Sequence, residues 1–190
     1  AVWTEAQLAS HRRAAEHCAR IAKAAMARAG AQVRAGTPIT EHELMGSIQG
    51  EFRAAGLFTD HGPNVSASEN AANPHYEPSA DAPRLLRDGD VLLIDLWATE
   101  PDGIYADQTW MGSLGAPSPK LVAVWTAVRD ARDAAITLIR ERIAAGEDVR
   151  GAEADDASRQ VIDAAGYGPY FTHRTGHSID VRALHRSEEH

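Results

Sequence analysis

VLLIDLW, residues 91–97, is the most hydrophobic stretch of the chain and contains a single acid, Asp95. A short apolar run bounded by turns predicts a buried β-strand. The turn Asp88-Gly89-Asp90 precedes it, and Glu100-Pro101-Asp102-Gly103 turns the chain again after it. Residues 104–111 follow as a return strand, so we expect a β-hairpin.

Asp95 is the residue of this hairpin that needs an explanation. An ionised carboxylate in a buried strand is costly unless it is paired, hydrogen-bonded or bound to a metal. If the hairpin turns about Pro101 and Asp102, Asp95 faces Asp107 on the same side of the sheet. Two adjacent carboxylates repel each other unless a cation lies between them, so we predict a divalent metal site. The alternative is that Asp107 is an exposed strand residue and that Asp95 caps a neighbouring backbone.

Upstream of the hairpin the sequence predicts two helices and a long loop. Thr4-Glu5-Ala6-Gln7 has the pattern of a capping box and opens an amphipathic helix that we expect to end at Gly30. Thr40-Glu41-His42-Glu43 repeats this pattern before a second helix, which stops at Gly56. From Gly62 to Pro83 there is little periodicity, which predicts a loop.

Downstream of the hairpin we expect two more helices. The third begins at Ser118-Pro119 and ends at Gly146, and the fourth covers Ala152 to Ala165. The apolar positions of the third helix are predicted to line one face: Leu121, Val124, Trp125, Val128, Ala131, Ala135, Ile139 and Ile143.

Two histidines lie four residues apart in FTHRTGHSID, residues 171–180. This spacing places His173 and His177 on one side of either a helix or an extended segment, so they can converge on one site. The pair alone would favour solvated or core histidines, because the Glu that follows the first His of a zincin helix is missing. The two aspartates earlier in the chain favour a shared metal site instead.

The composition excludes several classes of function. Lys plus Arg is 19 and Asp plus Glu is 27, and the net charge of −8 argues against nucleic-acid and anionic-membrane partners. No apolar run approaches the roughly 20 residues of a membrane helix. A G-x-S-x-G elbow, a Walker loop and a dinucleotide fingerprint are all absent from the sequence. A small molecule or a peptide is therefore the expected partner.

Length and cysteine content give two further expectations. A chain of 190 residues is long enough for one domain with a hydrophobic core, so we predict a single domain over residues 1–190. Cys18 is the one cysteine, and it is expected to pack in the core. The lone thiol and the absence of a signal-peptide pattern at the start predict a cytoplasmic protein.

Four ordered motifs span most of the chain from about residue 62 onward. They are Asn73-Pro74-His75-Tyr76, Leu92-Leu93-Ile94-Asp95-Leu96, Gly103-Ile104-Tyr105-Ala106-Asp107-Gln108-Thr109 and His173-Arg174-Thr175-Gly176-His177-Ser178-Ile179. Together they resemble the pita-bread metallopeptidases, the family of methionine aminopeptidase, Xaa-Pro aminopeptidase and prolidase, with the likeness nearest to the Xaa-Pro branch.

The resemblance implies an α+β pita-bread fold, in which helices cover a curved antiparallel sheet. It implies a dinuclear site in which Asp95 chelates one metal, Asp107 bridges both and His177 binds the second. It further implies three catalytic histidines. These are His75 at the substrate or leaving group, His173 at the oxyanion and His185 in a proton relay.

By the same resemblance, the activity is hydrolysis of the N-terminal bond of short peptides, with Xaa-Pro as the first expectation. Oxygen-rich ligands with one imidazole suit two Mn²⁺ ions best, although Co²⁺, Zn²⁺ or Fe²⁺ would also fit. Two further glutamate ligands of the family lie downstream of the position that matches His185, beyond His190. The alternative is a non-catalytic homologue that binds peptides or proteins. The sequence leaves the oligomeric state open, a homodimer included.

Overall fold

The computed structural model describes residues 3–179, which divide between two units. The first unit comprises the chain up to Ala116, and the second is Pro117–Ser178. The first contains α1 (Glu5–Arg34), α2 (Glu41–Ala54), β1 (Asn64–Ala67), β2 (Val91–Ala98) and β3 (Ala106–Ser113). The second contains α3 (Pro119–Ala144) and α4 (Gly151–Ala164). Short 3-10 turns occupy Ser68–Ala72 and Gly168–Tyr170. The prediction of one domain over residues 1–190 stays a prediction.

Both predicted capping boxes form. The Thr4 hydroxyl accepts from the Gln7 backbone N at 3.2 Å, and the Gln7 side chain accepts from the Thr4 N at 2.8 Å. Thr40 and Glu43 form the same reciprocal pair at the start of α2. The predicted end of the first helix at Gly30 was wrong, because one glycine only weakens a helix and α1 continues to Arg34.

The sheet of the first unit has the strand order β1-β2-β3, and both pairings are antiparallel. Alternation along β2 divides its residues between two faces. Leu92, Ile94, Leu96 and Ala98 are each 0% exposed and belong to the core. Helix α1 packs against β2 and β3, while α2 packs against β1. Asp95 therefore lies on the half-buried opposite face of the strand and not in the hydrophobic core.

Strand β1 lies inside the stretch predicted as a loop, and this prediction was wrong. Residues 64–67 form four antiparallel pairs with β2, from Asn64 opposite Asp95 to Ala67 opposite Leu92. Although polar and apolar residues alternate in β1, four residues are too few for this pattern to stand out from a loop in the sequence. Its partner strand stabilises it.

The hairpin of β2 and β3 is confirmed, but its register differs from the predicted one. Asp95 faces Thr109, and Asp107 faces Trp97. Pairing with β3 ends at Ala98, and the next residue, Thr99, exchanges both backbone hydrogen bonds with Phe58, at 2.8 and 2.9 Å. The connection is therefore longer than a tight turn about Pro101 and Asp102. Because the shift is an even number of residues, Asp95 and Asp107 still share one face.

Contacts from α1 hold the hairpin connection. The Arg13 guanidinium donates to both carboxylate oxygens of Glu100, at 2.8 and 2.7 Å. The His11 Nδ1 lies 2.7 Å from the carbonyl oxygen of Tyr105. The connection between β2 and β3 is thus bound to α1, the helix that packs on the core face of these strands.

A buried carboxylate, Asp90, fixes the turn that leads into β2. Arg84 donates to both of its oxygens at 2.9 Å, and the Ser68 hydroxyl and the Arg87 backbone N donate at 2.7 and 2.8 Å. Burial by itself would raise the pKa of Asp90, but these hydrogen bonds outweigh it and lower the pKa to about 2. The cluster joins both ends of the segment between β1 and β2.

In the second unit, α3 packs against α4 through small residues. Ala127, Ala131 and Ala135 follow one another at a spacing of four and are buried, and the buried Ser158 hydroxyl of α4 donates to the Ala131 carbonyl at 2.9 Å. The residues predicted to line one face of the third helix are buried only in part. Its large side chains are exposed in several cases, including Trp125, Val128 and Ile143. No helix within residues 3–179 is long and apolar enough to cross a membrane.

Leucine truncation tests the assignment of the two faces. Leu92 is 0% exposed and Leu85 is 42% exposed in the same unit. Leu92→Ala should lower the free energy of unfolding by about 2–5 kcal/mol, because it leaves a cavity in a packed core. The matched control Leu85→Ala should cost well under about 1 kcal/mol. Urea denaturation of the intact protein measures both, and equal losses would contradict the assignment.

Acid denaturation tests the Asp90 cluster. The folded-state pKa of Asp90, about 2, lies below its ordinary value of 3.8. Its contribution to stability is therefore full above pH 3.8 and is lost as the pH falls toward 2, by about 2 kcal/mol in total. Asp90→Asn should remove this part of the acid dependence, whereas the exposed Asp81→Asn should keep it. An unchanged dependence in Asp90→Asn would contradict the cluster's role.

Candidate metal centre

Asp95 lies in the middle of a row of polar residues that crosses the three strands. Asn64 of β1 and Thr109 of β3 are its direct neighbours on either side, so all three side chains point to the same face. The Thr109 hydroxyl donates to Asp95 Oδ1 at 2.7 Å. This hydrogen bond orients the carboxylate on the face of the sheet opposite the core.

Asp107 of β3 lies on this face as well. It is two residues from Thr109, so it is a diagonal neighbour of Asp95, at a typical backbone separation of roughly 7–8 Å. This separation is wider than that of the directly opposite pair that the sequence predicted. It leaves room for cations between the two carboxylates, which the metal hypothesis needs.

The chemistry of Asn64 fits a cation on this face. Its Oδ1 is buried and has no hydrogen-bond partner among residues 3–179. A buried oxygen without a donor is costly, and a nearby cation or an ordered water would satisfy it. Two carboxylates and an amide oxygen are hard ligands of the kind that divalent metals such as Mn²⁺ accept.

Cys18 lies in the core of the first unit, as predicted, and does not contribute a reactive thiolate. Its side chain is 0% exposed. Burial, together with the negative charge of Asp107, raises the pKa of the thiol to about 12. The thiol is therefore protonated at neutral pH and acts as a small packing group.

His75 lies in an exposed turn that follows β1. Its backbone N donates to the Asn73 side chain at 3.0 Å, and the Tyr76 N donates to the Asn73 carbonyl at 3.0 Å. The hydroxyl of Tyr76 then donates to the carboxylate of Glu41, the first residue of α2. The turn that presents His75 is thus anchored to a helix through its neighbour.

Glu41 is a buried acid that sequence reasoning missed as a supporting residue. It is 1% exposed and accepts hydrogen bonds from the Ala67 backbone N at 2.6 Å and from the Asn70 side chain at 3.0 Å, besides the one from Tyr76. The N-terminus of α2 also favours its negative charge. Three donors and a helix dipole together compensate a carboxylate that has lost its water. In the sequence it looked like an ordinary member of a capping box.

His173 and His177 belong to the second unit, in a segment without helix or strand structure. Their Nδ1 atoms lie 2.8 Å from the Arg174 carbonyl oxygen and 3.0 Å from the Ser178 carbonyl oxygen, respectively. A carbonyl oxygen can only accept, so each Nδ1 carries the proton in these contacts. In His177 this places the lone pair on Nε2, which is the atom that would bind a metal ion.

The predicted site residues are thus spread over the chain. Asp95 and Asp107 share one face of the sheet in the first unit. His75 also belongs to the first unit, whereas His173 and His177 belong to the second. His185 lies outside the described residues. Within residues 3–179 no group of three or more His, Cys, Asp or Glu side chains is placed to hold a metal ion. The metal and catalytic assignments stay predictions.

Comparison with known proteins places this arrangement in a family. The model of metallopeptidase family M24 matches residues 12–189. The Xaa-Pro dipeptidase of Lactobacillus helveticus is 33% identical over 145 residues, which are 75% of this chain and 37% of that protein. The crystal structure of dipeptidase PepE from Mycobacterium ulcerans matches 98% of this chain and 46% of its own, with a TM-score of 0.79 and 29% identity.

A dipeptidase structure from Pyrococcus horikoshii agrees, with a TM-score of 0.80 and 28% identity over 97% of this chain and 47% of its own. The chain belongs to metallopeptidase family M24. The predicted α+β pita-bread fold and the kinship with the Xaa-Pro branch are confirmed. The chain spans between about a third and a half of the length of these relatives.

Replacement of Glu41 tests its support of the His75 turn. Glu41→Gln replaces one of the two acceptor oxygens by an NH2 group, so Ala67 N and the Tyr76 hydroxyl cannot both keep their acceptor, and it should lower the free energy of unfolding by about 1–3 kcal/mol. Hydrogen exchange of residues 73–76 should also become faster. Glu51→Gln is the matched control, because Glu51 lies on the same helix in an exposed pair with Arg20, at 3.3 Å. If residues 73–76 of the Glu41→Gln protein exchange as slowly as in the wild type, the anchoring role is contradicted.

Proposed function

We propose that the protein to which this chain belongs is a metal-dependent dipeptidase or aminopeptidase. In this proposal it hydrolyses the N-terminal peptide bond of short peptides, with proline in the second position as the expected preference. The observation that carries the proposal is the shared face of Asp95 and Asp107, with the unsatisfied Asn64 oxygen beside them, in a chain of family M24. The name of the Lactobacillus helveticus relative supports the preference for Xaa-Pro.

Asp95, Asp107 and His177 are the residues that would hold two divalent metal ions. Two carboxylates with one imidazole suit Mn²⁺, and Co²⁺, Zn²⁺ or Fe²⁺ are alternatives. Such a pair of ions supplies Lewis-acid activation of water and polarises the scissile carbonyl. Thr109 contributes through its hydrogen bond to Asp95 Oδ1, which leaves the other oxygen of that carboxylate in a defined direction.

The three histidines would bind the substrate and move protons. His173 would donate a hydrogen bond to the oxyanion that forms when the peptide carbonyl is attacked. His75, on its exposed turn, would contact the substrate or the leaving amine, and His185 would relay a proton.

The remaining features of the proposal concern partners and location. A net charge of −8 suits a small peptide substrate better than a nucleic acid or an anionic membrane. The reduced, buried Cys18 agrees with a cytoplasmic location. A homodimer would be compatible with every residue assignment made above.

A non-catalytic peptide-binding homologue is the second candidate. The observation that favours it is the lack, within the described part of the chain, of a group of three or more potential metal ligands. The pair Asp95 and Asp107 argues against it, because a binding module gains nothing from two carboxylates on one sheet face. The two candidates differ in whether the intact protein binds metal stoichiometrically.

Metal analysis of the intact protein separates the candidates. Mass spectrometry of the purified wild type should find about two divalent ions per chain, as in other two-metal hydrolases. Asp107→Ala should lose both the metal and the cleavage of an Xaa-Pro dipeptide. Asp81→Ala removes an exposed carboxylate from the same unit and should retain both. A metal-free wild type, or full metal content in Asp107→Ala, would contradict the proposed site.

A further inference from the structure

The segment that contains His173 and His177 has little structure of its own. Residues 172–178 are exposed and form neither helix nor strand. A segment of this kind lacks the regular backbone hydrogen bonds that would fix its conformation, and ordering it costs conformational entropy. Side chains that contact the segment therefore contribute to its conformation.

Arg159 of α4 contacts this segment at two successive carbonyl groups. Its Nη1 donates to the Phe171 carbonyl oxygen at 3.0 Å, and its Nη2 donates to the His173 carbonyl oxygen at 2.7 Å. The guanidinium carbon also lies 4.4 Å from the centre of the Phe171 ring. The planar guanidinium thus donates to two carbonyl groups that are two residues apart. The ammonium group of a lysine lacks this fixed planar geometry.

Asp155 lies one helical turn before Arg159 and binds Thr175, two residues beyond His173. Its Oδ1 accepts from both the backbone N and the hydroxyl of Thr175, each at 2.7 Å. Its Oδ2 accepts from Arg159 Nε at 2.6 Å. The two side chains orient each other and bind residues 171, 173 and 175 in succession from one face of α4.

The bonded residues include the first histidine and end two residues before the second. Arg159 binds the backbone of His173 itself, and Asp155 binds Thr175, which lies two residues before His177. The Phe171 ring under Arg159 also packs edge-on against the His173 imidazole, with a centroid separation of 5.5 Å. The Asp155–Arg159 pair thus contacts the backbone that carries the two imidazoles.

We propose that Asp155 and Arg159 are positioning residues, which set the places of His173 and His177 by clamping the backbone between them to α4. This inference rests on the proposed function, because the roles of the two histidines come from it. Charge-assisted hydrogen bonds are about twice as strong as neutral ones, which suits them to hold an otherwise unstructured segment. Groups that orient a metal ligand typically change metal affinity by about 10–100-fold when they are removed.

Asp155→Asn and Arg159→Lys in the intact protein test the clamp. The matched controls are Asp156→Asn, the exposed neighbour on the same helix, and Arg132→Lys, an exposed arginine of α3. The first readout is hydrogen exchange of residues 171–178 by NMR, which needs neither metal nor substrate. Exchange of the Thr175 amide should be roughly tenfold faster or more in Asp155→Asn and unchanged in both controls.

The second readout links the clamp to the site. In Asp155→Asn the affinity for added Mn²⁺ should fall by about tenfold or more. The kcat for an Xaa-Pro dipeptide should fall more than KM rises, since His173 would act on the oxyanion. Thr175→Ser keeps both bonds to Asp155 and should resemble the wild type, whereas Thr175→Val should show a partial loss. The Thr175 variants alter an exposed side chain, so they keep the test valid if Asp155→Asn does not fold.

Each failure points to a different claim. Unchanged exchange at Thr175 in Asp155→Asn would overturn the clamp. Faster exchange with wild-type Mn²⁺ affinity and wild-type kcat would show that the clamp orders the segment without positioning the histidines, and would overturn this inference alone. A wild-type protein that neither binds Mn²⁺ nor cleaves the dipeptide would overturn the proposed function, and the positioning role with it.

Discussion

The alternation of β2 between two environments is the constraint on which the site depends. Four of its side chains, from Leu92 to Ala98, are fully buried against the helices of the first unit. A shift of one residue would bring all of them to the other face, at a cost of several buried hydrophobic side chains. The same alternation forces Asp95 onto the face opposite the core. The packing of the core thus determines where the carboxylate can act.

The neighbouring strands extend this constraint to the other site residues. Pairing with β3 brings Thr109 beside Asp95 and places Asp107 one diagonal away, and pairing with β1 adds Asn64. Because directly paired residues share a face, one well-packed strand aligns polar groups from three distant parts of the sequence. The buried hydrogen bonds of Glu41 position the turn of His75 in a similar way, because they join α2 to β1 and to Tyr76.

Features that depend on nearby residues could be predicted from the sequence. The caps at Thr4, Thr40 and Ser118 and the stop before Gly56 follow from local hydrogen bonds and glycine conformation, and the structure confirms them. The register of the hairpin could not be predicted, because it depends on the pairing of Thr99 with Phe58 and on the left-handed conformation of Asp102.

Contacts between residues that lie far apart in the sequence could not be predicted either. Glu41 meets Tyr76 across 35 positions, and Asp155 meets Thr175 across 20, and neither spacing carries a periodic signal. The histidine pair could be recognised in the sequence, but the contacts of its segment with α4 could not. Supporting residues of a site are thus harder to predict than its ligands, because their roles come from tertiary contacts.

The most direct test of the central claim is a crystal structure of the intact protein grown with Mn²⁺, with anomalous scattering recorded to locate the metal. We expect two anomalous peaks within bonding distance of the Asp95 and Asp107 carboxylates, with His177 Nε2 bound to one of them. Anomalous peaks at other residues only, or no peak on the sheet face that carries Asp95, would contradict the account.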